Sequence, residues 1–402
     1  MRRGLPTLLP GLCLAMVFGA CGSATVIDRV GRDAHRPAAV AAASWTGAMR
    51  DARHSGTASA VGPTRGRIRW RRVLEGNVTP GPVVGTDGTI YAASNAGVLH
   101  ALDPGTGADR WTFDGGGAYG SDLSTSPAVL ADGTILWPGP RNMLFGLAPD
   151  GRLKWSASFA GMVLSPAVAT DGAVYVASMD GKLTRLDVRP ESFRRRWSIS
   201  VGTSTYGSPA IGPTGTIYTA ADNDVVAVID DGERASIAWR FDTGQSIETS
   251  PAVGADGTVV IGPNGRYEYA ITASGHVRWR YDRGDHSYSS AVITPRGVAW
   301  FGDHRGFVTA VDVRTGRRIR RVHGILRSAQ HRSVGVWTSP AVGVTGNVYF
   351  GTRPGHIYGF GADGRELFDI ASGATVDSYP AITADGMLVI GSANATLYGI
   401  AD

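Results

Sequence analysis

From about residue 63 onward the chain is a succession of short runs in which apolar and polar positions alternate. Each run is four to six residues long and is cut off by Gly, Asp, Thr, Asn or Pro. Runs such as Thr89-Ile90-Tyr91, Ala173-Val174-Tyr175 and Asn347-Val348-Tyr349 are rich in β-branched and aromatic residues, and no window carries a helical period. Alternation at period two, with turn residues at the ends, predicts half-buried strands joined by tight turns.

The strands recur in units of about forty residues. A Ser/Gly-Pro-Ala/Val-Val element appears at Pro82, Pro127, Pro166, Pro209, Pro251, Pro340 and Pro380. An eighth copy reads Ser290-Ala291-Val292, with Ser290 taken as the residue in the proline slot, 39 residues after Pro251 and 50 before Pro340. About five residues later each unit has a turn and a strand, as in Asp87-Gly88-Thr89-Ile90-Tyr91 and Asp256-Gly257-Thr258-Val259-Val260. Asp-Gly suits the positive φ angles that two-residue hairpins demand. A further strand then leads through another turn to Trp70, Trp111, Trp155, Trp197, Trp239 or Trp279, with a position near Val322 and Phe368 expected in the last two slots. A forty-residue period with four strands per unit is the signature of a β-propeller. The expected fold is all-β: eight four-stranded antiparallel blades, with the Trp packing between neighbours. Arg67-Ile68-Arg69-Trp70-Arg71 lacks its own first three strands, and Thr396-Leu397-Tyr398-Gly399-Ile400 lacks a Trp strand. Together they complete one blade, which closes the ring and leaves no sheet edge at the seam.

Composition agrees with a large core: 43% of residues are apolar, 18% charged, and 56 are glycine. The net charge of +5 falls to about +3 without Arg2 and Arg3, and there is no helix-turn-helix or zinc-finger spacing, so nucleic acid is not an expected partner. The two cysteines, Cys13 and Cys21, precede the repeats. A disulfide or a cysteine nucleophile is therefore excluded from the globular part.

Residues 1–20 have a basic start, a short apolar run and small residues at the end, the pattern of a secretory signal. Val17-Phe18-Gly19-Ala20-Cys21 resembles a bacterial lipobox, which implies cleavage before Cys21 and lipidation of its thiol. The expected location is an exported protein anchored to a membrane by lipid: the periplasmic face of the outer membrane in a Gram-negative envelope, the outer face of the plasma membrane in a Gram-positive one. Residues 21–62 lack strand alternation and read as a tether, part of which packs on the domain through Trp45. The propeller is assigned to residues 63–402 and is expected to be monomeric.

Ala101-Leu102-Asp103-Pro104-Gly105-Thr106-Gly107-Ala108-Asp109-Arg110-Trp111 and Ala310-Val311-Asp312-Val313-Arg314-Thr315-Gly316 resemble the repeat of the pyrroloquinoline-quinone (PQQ) propeller superfamily. The resemblance implies one of two branches. Quinoprotein dehydrogenases hold PQQ and calcium in the central funnel, but no calcium-ligand set, catalytic Asp or adjacent-cysteine pair maps onto this chain. The non-enzymatic branch includes the propeller lipoprotein of the outer-membrane β-barrel assembly machinery, which this chain is similar to in length, signal and blade number. The resulting expectation is a non-enzymatic scaffold for an envelope protein or polymer, without a cofactor. The alternatives are a PQQ-dependent oxidoreductase and a ligand-binding or sensory ectodomain.

Two clusters carry candidate chemistry. His286 and His304 flank the irregular sixth element with Asp282, Asp285 and Asp303 nearby, a combination open to metal or acid-base work as well as to plain surface polarity. Within the longest repeat, Arg317, Arg318, Arg320, Arg321, Arg327 and Arg332 follow one another with no acid between them, which suggests an anion- or partner-facing patch or a solvated face.

Overall fold

The computed structural model describes residues 45–119, 125–324 and 335–402. Their strands form eight four-stranded antiparallel sheets arranged as an eight-bladed propeller. Blades 1 to 7 span residues 83–114, 128–158, 167–200, 210–242, 252–282, 292–323 and 341–371. Blade 8 takes Ala381–Ile382, Leu388–Gly391 and Thr396–Ala401 from the C-terminal end and Arg67–Val73 as its outer strand. In each blade the strands A to D run from the channel outward. A–B and C–D turns therefore lie on one face of the disc, and B–C turns and D–A connections lie on the other.

Blade-to-blade contact is made by the aromatic of strand D. Trp70, Trp111, Trp239 and Trp279 donate their indole N–H to carbonyls in the C–D turn of the next blade: Pro104, Pro149, Ala273 and Val313, at 2.7–2.9 Å. Trp197 donates to the Asp230 carboxylate at 2.9 Å, and Trp155 packs its ring on Phe193 of the next blade. Trp70, Trp111, Trp239 and Trp279 lie over bare backbone at Gly107, Gly151, Gly275 and Gly316. A Cβ on Gly107, whose φ is +70°, would stand 2.6 Å from the Trp70 ring. The last two slots are held by Arg320 and Phe368, which lie over Gly364 and Gly66. The register is decisive: Trp279 pairs with Ala270 just before the bulge of its blade, and Arg320 pairs with Ala310 in the same place. The expected position near Val322 is thus Arg320, two residues earlier on the same face of the strand, and Val322 itself is 5% exposed. The proline slot of blade 6 is corrected. The inner strand is Val292–Ile293, which puts Ala291 in the slot and leaves Ser290 as the serine that accepts from Ser250 N at 2.9 Å.

At the seam, Arg67–Val73 pairs antiparallel with Thr396–Ala401. The missing C–D turn is rebuilt from two distant pieces: the Asp402 carboxylate accepts from Thr64 N at 2.7 Å, Arg65 N at 2.8 Å and Thr64 Oγ1 at 2.9 Å.

Residues 45–62 are seated in the propeller, well beyond the single contact expected of Trp45. In each inner strand one residue bonds strand B and the next turns its N–H to the channel. Gly85 N, for example, bonds Thr89 O, while Val84 N faces inward. Residues 45–56 wind around the A–B end of the channel and accept these donors. Trp45 O takes Val84 N, Thr46 O takes Val129 N, Ala52 O takes Ile211 N, Arg53 O takes Val253 N, His54 O takes Ile293 N and Gly56 O takes Val342 N, at 2.7–3.3 Å. Six of the eight blades thus satisfy a buried donor on one segment, and a buried donor left alone is costly. Trp45, Met49 and His54 are each 2% exposed.

Two substitutions test the slot. Trp70→Ala is expected to cost about 3–5 kcal/mol because its ring closes the seam. Arg320→Trp is expected to add about 0.5–2 kcal/mol by restoring the repeat. Both are read from denaturant midpoints, and a lower midpoint for Arg320→Trp would show that the arginine is kept for a structural reason of its own.

Candidate functional site

On the B–C face two columns of equivalent positions converge between blades 5 and 7. The first stands two residues ahead of the inner-strand proline slot less one, in the D–A connections: Glu248, Tyr288 and Trp337 precede Thr249-Ser250, Ser289-Ser290 and Thr338-Ser339. The second occupies the B–C turns: Asn264, His304 and Arg353 each donate a backbone N–H to the adjoining D–A connection, at Ser246, His286 and Gly335. The turn framework is repetitive, so side chains at matching positions come together as neighbours around the rim.

These side chains form a ladder of flat groups. The rings of His286 and His304 lie 3.6 Å apart, His304 stacks on Trp337 at 5.1 Å, and Tyr288 meets Trp337 edge-on at 4.5 Å. The Arg353 guanidinium covers Trp337 at 3.7 Å, within cation–π range. Asn264 donates to Glu248 at 2.6 Å at the acidic end of the row. Burial, reinforced by the neighbouring His286, lowers the His304 pKa to about 4, so this imidazole is neutral near pH 7. Its Nε2 and the Trp337 indole N–H are buried without a partner among the described residues.

The ladder rests on a buried ion pair. Arg283 begins the connection that carries His286 and Tyr288. It is 1% exposed in its side chain and donates to Glu268 at 2.7 Å, Pro263 O at 2.8 Å and Gly265 O at 2.7 Å. Burial raises the Glu268 pKa to about 7 against the pull of Arg283. Ser287 and Ser289, the hydroxyls closest in sequence to the histidines, donate to Gly302 O and Thr338 O. They are tied to backbone and are not aligned with an imidazole as nucleophiles. What the row offers is stacking surface flanked by a cation and an acid, a composition typical of binding hot spots.

The sequence brings His286 and His304 into view, and the structure joins them. Asp285 accepts from His286 at 2.8 Å, Asp282 pairs with Arg266, and Asp303 pairs with Arg321 at 3.0 Å. Among the described residues no three His, Cys, Asp or Glu side chains converge as a metal site. Tyr288, Trp337 and Arg353 are not found by motif. The signal available was the variable position ahead of the Ser-Pro element, read down the aligned repeats.

The arginine run is not one surface. Arg317 and Arg318 are exposed on the outer corner of blade 6. Arg320 fills the inter-blade slot, and Arg321 is held by Asp303 and lies 3.7 Å over Phe307. Arg327, Arg332 and Cys21 lie outside the described residues.

Among the described residues no carboxylate or histidine cluster is placed to hold calcium. The A–B end of the channel is filled by the chain's own residues 45–56. Deeper in, the inner-strand serines bond one another between blades, as in Ser126 N to Ser165 Oγ and Ser208 N to Ser250 Oγ.

Fold and repeat define a PQQ-like eight-bladed propeller with a stacking surface on its B–C face. The chain belongs to the family described as outer membrane protein assembly factor BamB, whose sequence profile matches residues 54–123, 97–190 and 188–324. It is 27% identical over 187 residues to that factor from Yersinia pestis, covering 42% of this chain and 44% of the relative. To that of Moranella endobia (strain PCIT) it is 26% identical over 225 residues, covering 51% and 54%. It is also 27% identical over 150 residues to the serine/threonine-protein kinase AfsK of Streptomyces griseus, covering 35% of this chain and 18% of the kinase. The chain thus spans about half the length, or less, of these curated relatives. Among solved structures, a europium-containing methanol dehydrogenase superposes with a TM-score of 0.72 at 13% identity, covering 90% of this chain and 98% of that one. BamB from Moraxella catarrhalis superposes with a TM-score of 0.66 at 14% identity, covering 84% and 100%. At such identity the two structures share the fold.

The paired shifts beneath and within the ladder give opposite pH dependences. Glu268 has a raised pKa, so its contribution is full below about 4.5 and is lost as pH rises through about 7. His304 has a lowered pKa, so its contribution is full above about 6.5 and is lost as pH falls through about 4. Glu268→Gln is expected to leave a stability that declines only toward acid, and urea midpoints from pH 4 to 8 would show it; an unaltered profile refutes the assignment. Arg283→Leu, which strands a buried carboxyl, is expected to cost about 3–5 kcal/mol.

Proposed function

We propose that this protein is an exported, lipid-anchored propeller that acts as a non-enzymatic scaffold for other cell-envelope proteins. The observation that carries the reading is its membership of the assembly-factor family, with a match that runs through six of the eight blades. Two further observations support it. Tyr288, Trp337 and Arg353 form a half-buried aromatic and cationic row on one face, and the serines beside the histidines are committed to backbone carbonyls. The partner is a protein that lays an aromatic or proline-rich segment across the ladder, and Arg353 and Glu248 fix its direction. Arg317 and Arg318 add a basic corner on the rim of blade 6. Cys21 carries the lipid and holds the disc on a membrane surface.

Two experiments separate the parts of this proposal. Cys21→Ala is expected to abolish acyl labelling and release the protein from membranes; retention of the variant, with no label on the native chain, refutes the anchor. For the scaffold, envelope proteins are cross-linked to a photoreactive residue placed at Asn264, in native and Trp337→Ala/Arg353→Ala backgrounds. Adducts that fall at least tenfold in the double variant support docking on the ladder, and equal adducts refute it. The same purified protein is mixed with PQQ and calcium and passed through gel filtration. Stoichiometric cofactor retention with dye reduction would replace the scaffold by the oxidoreductase.

A further inference from the structure

The channel mouth on the A–B face is built like a receptor for a curved polypeptide. Six of its eight inner strands aim a backbone N–H at the axis that a carbonyl of residues 45–56 accepts. Recognition through carbonyls is indifferent to side chains, as in other strand-addition modes of peptide binding. Selectivity comes from three buried side chains. Trp45 is buried in the cluster that holds Val84, Ile382 and Met387, Met49 in the cluster that holds Val292 and Val342, and His54 Nδ1 meets Pro251 O at 2.7 Å. Within the segment, the Asp51 carboxylate accepts from Arg53 N, Ser55 N and the Ser55 hydroxyl. Gly47 and Arg50 close a turn on each other. Its curvature is thus held largely by internal bonds, as expected of a ligand that carries its own shape. It leaves the mouth through Ser59, which is exposed, before passing to the seam.

We infer that the A–B mouth of the channel is a peptide-binding ring and that residues 45–58 are its occupant in cis, a segment that can be exchanged for the same sequence supplied in trans. The ligand class is a short polypeptide with a Trp at its start, a Met four residues on, a His nine residues on, and backbone carbonyls presented outward to the inner strands. The segment from a second copy of this chain meets that description. This site lies on the opposite face from the ladder and does not depend on the scaffold reading.

The test starts from the full chain, so that folding takes place with the segment attached. A protease recognition sequence is inserted between Ser59 and Ala60, the folded protein is nicked, and a fluorescent peptide of residues 45–58 is added in excess. The expected result is uptake of one peptide per propeller with release of the nicked segment, and at least a tenfold weaker uptake of a peptide carrying Trp45→Ala and His54→Ala. No uptake by the nicked protein, or equal uptake of a scrambled peptide, overturns the inference. Hydrogen exchange on the uncut native chain covers the case in which the insertion prevents folding. The amides of Ile211, Val253 and Val342 are expected to exchange together and at least tenfold faster than strand-interior amides such as Val226. Exchange of these amides only with global unfolding makes the segment part of the core and overturns the inference.

Discussion

Each blade of this protein meets the next chiefly through one flat side chain, laid over a glycine in six of the eight contacts and in four with its indole N–H on the neighbouring turn's carbonyl. A four-stranded sheet cannot bury both of its faces alone, and the ring is stable only because every blade covers the one beside it. The contact fixes more than stability. It sets the spacing and rotation between blades, and hence the diameter of the channel that receives residues 45–56. It also brings equivalent turns of successive blades together, so that Tyr288 and Trp337, from consecutive D–A connections, touch at 4.5 Å. Site and mouth are both consequences of a regular ring. The ring tolerates a break in the pattern at Arg320 because its long side chain still spans the gap to Gly364.

The repeats were legible because their signals are local. Asp-Gly turns, alternating strands and a Trp at a fixed distance are each set by a few adjacent residues, and eight copies in phase define the architecture. What failed was the assignment of slots where a copy drifts. The slot of blade 6 was legible only as a position near Val322; the strand bulge puts Arg320 there, with Val322 buried on the same face two residues on. Ser290 seemed to replace a proline because the count from Pro251 was one short; pairing of Val292 with Trp300 settles the frame. The docking of residues 45–56 could not be read from alternation, since its contacts are to channel-facing amides of six blades and run through backbone carbonyls. A lone Trp45 in a polar, small-residue stretch was its only trace. The arginine run misled for a related reason: consecutive residues on a strand point in opposite directions, so Arg320 and Arg321 serve different neighbours.

The B–C face combines features that stability alone would not select. A neutral imidazole sits between another imidazole and an indole, and a buried Glu–Arg pair supports the connection that carries it. A buried pair of this kind is often no more stabilising than apolar residues of the same volume. Here Arg283 also ties down Pro263 O and Gly265 O, so the pair fixes the height of the blade 5 turn against the connection to blade 6. Rigid placement of a few aromatic groups lowers the ordering cost of binding, which is what a docking surface on a propeller requires.

The seam has a consequence in time. The strand Arg67–Val73 finds its partner only in Thr396–Ala401, and the Asp402 carboxylate bonds Thr64 and Arg65. A chain made or exported from its N-terminus presents this strand first and must wait for more than three hundred further residues before it can pair. During that wait the strand edge is unpaired, and its composition is suited to the interval: Arg67, Arg69, Arg71 and Arg72 repel a second copy of themselves. Charge on an unpaired edge is a known guard against edge-to-edge association. In the finished ring Arg72 pairs with Asp109 and Arg71 lies over Tyr398; before it exists the same charges protect a molecule still on its way to closing.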